Sequence, residues 1–168
     1  NILNKVVQLN VQHVDTIELH MFTKLHYLHA SFCQMTQLSP HLPPCLGILN
    51  CGFNVLSELP TLPSNMSSLN CENNQLVKLG ELLPPNLVEL FCSRNQMVEL
   101  PSTLPSSLQD LFCWENKLTV LPTLPSTLAT LCCFGNLLTR LPTLPSTLVS
   151  LECSDNQLTR LPAYHRLF

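Results

Sequence analysis

Residues Leu128 to Leu148 read L-A-T-L-C-C-F-G-N-L-L-T-R-L-P-T-L-P-S-T-L. The same frame, L-x-x-L-x-C-x-x-N-x-L-x-x-L-P with a second Leu-Pro and a return to the start, begins at Leu46, Met66, Leu87, Leu108 and Leu148. A weaker copy begins at Leu25 and a fainter echo at Val6. Successive starts lie 19 to 21 residues apart. A fixed period of this size predicts a solenoid whose turns bury their apolar residues against one another.

Each position in the frame has a physical task. The first, fourth and sixth residues point inward, and the alternation at the fourth and sixth is the period of a short strand. Stacked copies then form a parallel sheet, because every return leg brings the chain back to the same edge. The ninth position holds Asn54, Asn74, Asn95, Asn116, Asn136 and Asn156, with Cys33 in the weaker copy. An amide that both donates and accepts satisfies buried backbone in a turn. These asparagines are therefore read as a structural ladder bonding the backbone of their own turn and the next. The return leg, for instance Leu121-Pro122-Thr123-Leu124-Pro125, is held extended by proline and is predicted to be polyproline-II-like, with little helix. Copies starting at Leu25, Met66 and Leu87 carry one extra residue, expected on the convex side.

The frame resembles the leucine-rich repeat family, with Cys at the sixth position where that family usually has Leu or Val. The Leu-Pro-x-Leu-Pro return is similar to the short-repeat bacterial subclass, the type III-secreted effector domains of the YopM and IpaH kind. The resemblance covers about residues 25 to 162. It implies an α/β-class solenoid, here mostly β. The parallel sheet would lie on the concave face and the extended legs on the convex face. It further implies a bacterial protein secreted into host cytosol that binds a host protein.

Composition agrees with this architecture. The chain has 168 residues, enough for one domain, and 14 prolines, which forbid long helices. A net charge of −3 argues against a nucleic-acid partner. No apolar run has the length of a membrane span, and the N-terminal segment has no apolar core of signal-peptide length. The sequence opens on Asn1 rather than Met, as a trimmed or mature fragment would, so flanking domains are expected outside it.

Residues 1–24 fit the frame poorly and are read as an N-terminal cap, followed by repeats over 25–162 and a tail or partial cap over 163–168. Ile17, Leu19 and Met21 alternate with polar residues, which predicts a strand. Tyr164, Leu167 and Phe168 are candidates to fold over the last turn. His13, His20, His26 and His29 invite a metal reading, but His26 and His29 would face opposite sides of a strand and nothing completes a ligand set. No metal or cofactor is expected.

Nine cysteines follow the repeat rather than a disulfide framework, with Cys51, Cys71, Cys92, Cys113, Cys133 and Cys153 at the inward sixth position. Reduced thiols and a cytosolic working environment follow. Asn65-Met66-Ser67 is a lone glycosylation sequon, a weak signal against that reading. Cys153-Ser154-Asp155 has the C-x-D pattern of the ligase domain in IpaH-type effectors, but it sits inside a repeat without acid-base neighbours. Cys132, at the outward fifth position, is expected to be an exposed thiol.

The third, fifth, seventh and eighth positions are expected to form the concave surface. On them Phe91, Phe112, Trp114 and Phe134 fall on three successive copies and predict one exposed aromatic patch. Glu72, Glu89, Asp110, Glu115, Glu152 and Asp155 surround it, with Arg94 the one base. An apolar centre with a charged rim is the anatomy of a protein-binding site. Candidate partner-binding residues are Tyr27, His29, Phe53, Phe91, Arg94, Phe112, Trp114, Glu115, Cys132 and Phe134. The competing reading is that the aromatics pack locally over the strand ends. Three functions stay open: a stand-alone protein-binding module, the substrate-recognition part of an enzyme whose catalytic domain lies elsewhere, and a structural or surface repeat protein.

Overall fold

The computed structural model describes residues 5–12 and 19–161. Eight three-residue strands run through it: β1 Gln8–Asn10, β2 Tyr27–His29, β3 Ile48–Asn50, β4 Ser68–Asn70, β5 Glu89–Phe91, β6 Asp110–Phe112, β7 Thr130–Cys132 and β8 Ser150–Glu152. They form one parallel sheet in chain order, β1 through β8. Every pair is in register, fourth position beside fourth, from Leu9 beside Leu28 to Leu131 beside Leu151. No α-helix occurs among the described residues.

The core is a set of columns running along the stack. Leu28, Leu49, Leu69, Leu90, Leu111 and Leu131 form the fourth-position column, all without exposed surface. The sixth-position column of Cys51, Cys71, Cys92, Cys113 and Cys133 is equally buried. On the far side Met35, Leu56, Leu76, Met97, Leu118 and Leu138 complete the interior. The thiol acts there as a small buried hydrophobe.

Each return leg closes on a β-turn that leads back to the first leucine. Leu108, Leu128 and Leu148 donate their N–H groups to the carbonyls of Pro105, Pro125 and Pro145, each at 3.1 Å. The hydroxyl before each leucine ties that turn to the preceding one: Thr127 Oγ1 donates toward the carbonyls of Ser106 (2.8 Å) and Leu108 (2.7 Å). The Pro-Ser-Thr-Leu spelling thus fixes both the turn and its stacking. The additional residue of the copy starting at Met66 is absorbed on the convex side, where Leu82 is 84% exposed, while Leu69 stays beside Leu90.

The asparagine ladder works between a turn and the one before it, not the next. Asn95 Nδ2 lies 3.1 Å from each of the carbonyls of Cys71, Cys92 and Ser93, and its Oδ1 accepts from the Leu76 N–H at 2.9 Å. Asn54, Asn74, Asn116, Asn136 and Asn156 repeat the pattern.

The start of the chain corrects one expectation. Leu19 and Met21 belong to no strand. Leu19 is fully buried and its carbonyl accepts from Phe22 N at 3.0 Å, so this stretch turns inward and enters Leu25 through a further turn. Over the described residues the alternation came from one buried residue, Leu19, followed by turn residues His20 and Met21. Ile17 and His13 lie outside the described residues, as do Tyr164, Leu167 and Phe168.

Candidate functional site

The sheet register places outward residues of successive turns side by side, so each outward column stacks with the strand spacing. Phe91 and Phe112, in the fifth column, have ring centroids 4.9 Å apart at an interplanar angle of 10°. Trp114 and Phe134, in the seventh column, stack at 5.0 Å and 11°. Phe32 and Phe53, in the eighth column near the other end, stack at 4.3 Å and 16°. The ~4.8 Å repeat of a sheet and the distance of an offset ring stack coincide, so aromatics repeated at one position stack without adjustment.

The aromatic patch is therefore two stacked pairs in neighbouring columns. All four rings are half-buried. Their faces are largely committed to each other, and what they offer outward is mostly edge. Trp114 also carries the Arg94 guanidinium, 4.8 Å from its ring centroid. Arg94 Nε donates to Glu115 Oε2 at 2.9 Å, with the two side chains 49% and 46% exposed. A pair this open contributes little stability, at most about 1 kcal/mol. Its effect is to fix the orientation of Arg94 over the indole.

The carboxylates are distributed unevenly. Glu89 and Asp110, third-position residues of β5 and β6, stand directly opposite each other in the register. Neither carboxylate has an ion-pair or hydrogen-bond partner among the described residues. Like charges opposite one another in a sheet are destabilising by roughly 0.2–1 kcal/mol. Glu72 Oε1 accepts weakly from Asn70 Nδ2 at 3.4 Å, and Glu152 Oε2 accepts from Cys132 Sγ at 3.3 Å.

Cys132 departs from the sequence expectation. It is 5% exposed rather than open, lying in the column between Phe112 and Glu152. Burial pushes its thiol up to about 12, and the hydrogen bond and charge of Glu152 act in the same direction. A thiol held protonated is not a ready nucleophile. Cys153 is likewise pushed up by burial, opposite to the shift that activates a thiol. Burial also raises Cys51 and Cys133 to about 12 and holds Cys71, Cys92 and Cys113 well above the ordinary thiol value.

The remaining candidates lie toward the first turns. Tyr27 and His29 are half-buried on β2, and His29 lines an open cavity of about 400 Å³ with Asn10, Val11, Gln12, Ser31 and Phe32. Phe53 is 36% exposed and Phe32 is 66% exposed. This second stack is separated from the Phe91–Phe112 and Trp114–Phe134 pairs by the copy starting at Met66, whose outward Asn70, Glu72 and Asn73 are polar. Asn70 Oδ1 accepts from Glu72 N there (3.1 Å), and Asn50 Oδ1, beside the second stack, accepts from Ser31 Oγ (2.6 Å) and Gly52 N (3.2 Å). A Cβ at Gly52 would lie 2.9 Å from Asn70 Oδ1 and 3.3 Å from the Glu72 carbonyl, so a larger residue would have to displace the Asn70 amide. The ten candidate residues thus fall into two groups rather than one continuous patch.

Two features escaped the sequence. Every described residue at the eighth position of the copies from Leu25 onward is left-handed: Phe32, Phe53, Asn73, Arg94, Glu115, Gly135 and Asp155 have φ between 49° and 64°. For residues other than Gly, Asn and Asp this backbone is unfavourable by about 1 kcal/mol or more. In the first six of these eighth-position residues, the N–H donates to the seventh carbonyl of the next turn, as Arg94 N does to Trp114 O at 2.9 Å, and this bond holds the conformation. Gly135, Asn73 and Asp155 in one column were the available signal. The second is Ser93, fully buried with its hydroxyl lacking a hydrogen-bond partner among the described residues.

No protein-family model and no curated protein matches the chain. Solved structures do. YopM from Yersinia enterocolitica is 34% identical with a TM-score of 0.74, covering 96% of this chain and 40% of its own. The leucine-rich effector YopM from Yersinia pestis is 36% identical with a TM-score of 0.83, covering 89% of this chain. A Shigella effector LRR domain is 30% identical with a TM-score of 0.79, covering 94% of this chain and 73% of its own. The chain thus spans 40% and 41% of the length of the two YopM structures.

Proposed function

Because the chain belongs to the leucine-rich repeat family, in the short-repeat subclass found in bacterial effectors, we propose that it is a protein-interaction module that receives its partner on the concave face. The observation that carries this reading is the pair of aromatic stacks at Phe91–Phe112 and Trp114–Phe134, ordered by the sheet yet half-exposed. Pre-stacked rings lose little freedom on binding, and Trp and Phe anchors of this kind carry a large share of interface energy. By likeness to the Yersinia and Shigella effectors, the working site is the cytosol of a host cell and the partner a host protein. Nine free cysteines suit that reducing compartment.

A second reading has its own support. One matched structure is described as an effector LRR domain, the repeat part of an effector. The same concave face would then select the substrate for chemistry carried by another domain.

Capture from host-cell lysate tests the proposal, comparing wild type, a Phe112→Ala/Trp114→Ala variant and a convex Leu82→Ser variant with matched melting temperatures. Loss of a captured protein with the concave variant alone is the expected result. Equal capture by all three, or loss with Leu82→Ser alone, overturns the concave assignment.

A further inference from the structure

The concave columns are anionic well beyond the net charge of the chain. Six of the eleven acidic residues stand on them, but only one of the eight lysines and arginines, Arg94. That base is already committed to Glu115 and to the face of Trp114. Lys78, Arg140 and Arg160 recur instead just beyond the inward eleventh position, off the concave columns. Glu58 and Glu99 occupy that same position in other copies, so the acids are divided between the faces while the bases, Arg94 apart, are kept off the concave columns.

The anionic group also has a defined place beside the rings. Glu89 and Asp110 each lie two residues before a stacked phenylalanine on the same strand. Residues so spaced share a face about 7 Å apart. Their carboxylates oppose each other with no cation between them among the described residues. On the other flank of the Phe91–Phe112 pair stands the Trp114–Phe134 stack. An apolar strip bordered by uncompensated carboxylates complements a chain segment that has apolar side chains with arginine or lysine beside them.

We propose that the segment received by this face is a cationic peptide stretch of the partner, its apolar side chains on the Phe91–Phe112 and Trp114–Phe134 stacks and its arginine or lysine between Glu89 and Asp110. This assignment rests on the concave-face reading above. It needs no base on the partner to displace Arg94, because Glu89 and Asp110 lie on the opposite side of the ring pair. Arriving cations relieve the repulsion between the two carboxylates, so binding and the local electrostatics act together.

A random peptide library displayed on phage, selected on the wild-type protein, tests it. Enriched peptides are resynthesised with a fluorescent label and titrated by fluorescence anisotropy, a readout that the Trp114→Ala variant also permits. The expected peptides combine Arg or Lys with apolar residues and bind more weakly as salt rises. They bind Glu89→Gln/Asp110→Asn about tenfold more weakly and lose most affinity for Phe112→Ala/Trp114→Ala. Neutral or acidic peptides that still require Phe112 and Trp114 overturn the cationic assignment and leave the concave reading standing. Peptides indifferent to Phe112 and Trp114, or an absence of enrichment, overturn both. Should the carboxamide variant fail to fold, salt-insensitive binding by the wild type overturns the assignment on its own.

Discussion

The fifth and sixth columns are one residue apart in every turn and obey opposite rules. The sixth is cysteine in six consecutive copies, whereas the fifth runs His29, Asn50, Asn70, Phe91, Phe112, Cys132 and Glu152. Alternation along a strand accounts for the difference. A sixth residue points into a space bounded above and below by its copies, so one side-chain size fits all turns. A fifth residue points outward, where backbone pairing is unaffected by its identity. The interior is thus specified by the stack, and the outward columns are free to carry recognition. Cys132 marks where the division blurs, since an outward residue is closed over by taller neighbours on both sides.

The largest expected effect comes from titrating the inner column. Burial raises the folded-state thiols of Cys51, Cys71, Cys92 and Cys113 above their usual 9.0. Above that pH the unfolded chain loses protons that the folded chain retains. Stability is therefore fully present below pH 9.0 and is lost as pH rises toward about 12, the value for Cys51. Four such thiols amount to roughly 5 kcal/mol per pH unit, comparable with the total stability of a domain. Urea midpoints between pH 8 and pH 10 are expected to hold and then collapse. A flat profile would mean that the column is open to solvent.

Next in size is the asparagine ladder. Asn95→Ala leaves the buried Leu76 N–H without its acceptor and removes one of the two donors at each of the Cys71, Cys92 and Ser93 carbonyls, and is expected to cost about 3 kcal/mol. Cys33 occupies the same position one end away and offers only a thiol, 3.4 Å from Val11 O and 3.3 Å from Ser31 O. Cys33→Ala is expected to cost about 1 kcal/mol. Equal losses by chemical denaturation would deny the ladder its role in satisfying backbone.

Outward substitutions test the other half of the contrast. Phe112→Ala removes one ring of a half-exposed stack and is expected to cost about 1 kcal/mol of stability. A loss matching Asn95→Ala would make the fifth column structural. The smallest effect is expected at Ser93: removing a buried hydroxyl with no partner among the described residues, as in Ser93→Ala, should leave the melting temperature unchanged or slightly raised.

Most of the fold was legible because its determinants are periodic. The leucine spacing gave the turns, the strand alternation gave the inward columns, and the asparagine position marked where buried backbone needs an amide. What was hidden depends on neighbours in the next turn. Arg94 and Glu115 are 21 residues apart, yet they share the eighth column, so their pairing is visible only once copies are aligned. The left-handed backbone of Phe32, Phe53 and Glu115 is imposed by the hydrogen bonding of the stack, against the preferences of those residues. Exposure of Cys132 was misjudged because facing outward says nothing of neighbour height. The strand expected across Leu19 and Met21 failed because alternation over so few residues does not distinguish a strand from a turn with one buried anchor.

The concave-face claim is tested most directly by placing a photoreactive benzophenone residue at one of two positions, Thr130 beside Asp110 on the sheet or Leu82 on the return leg. Each protein is irradiated with its partner bound. Crosslinking from position 130 and not from position 82 is the expected result. Crosslinking from position 82 alone would place the partner on the convex side and contradict the claim.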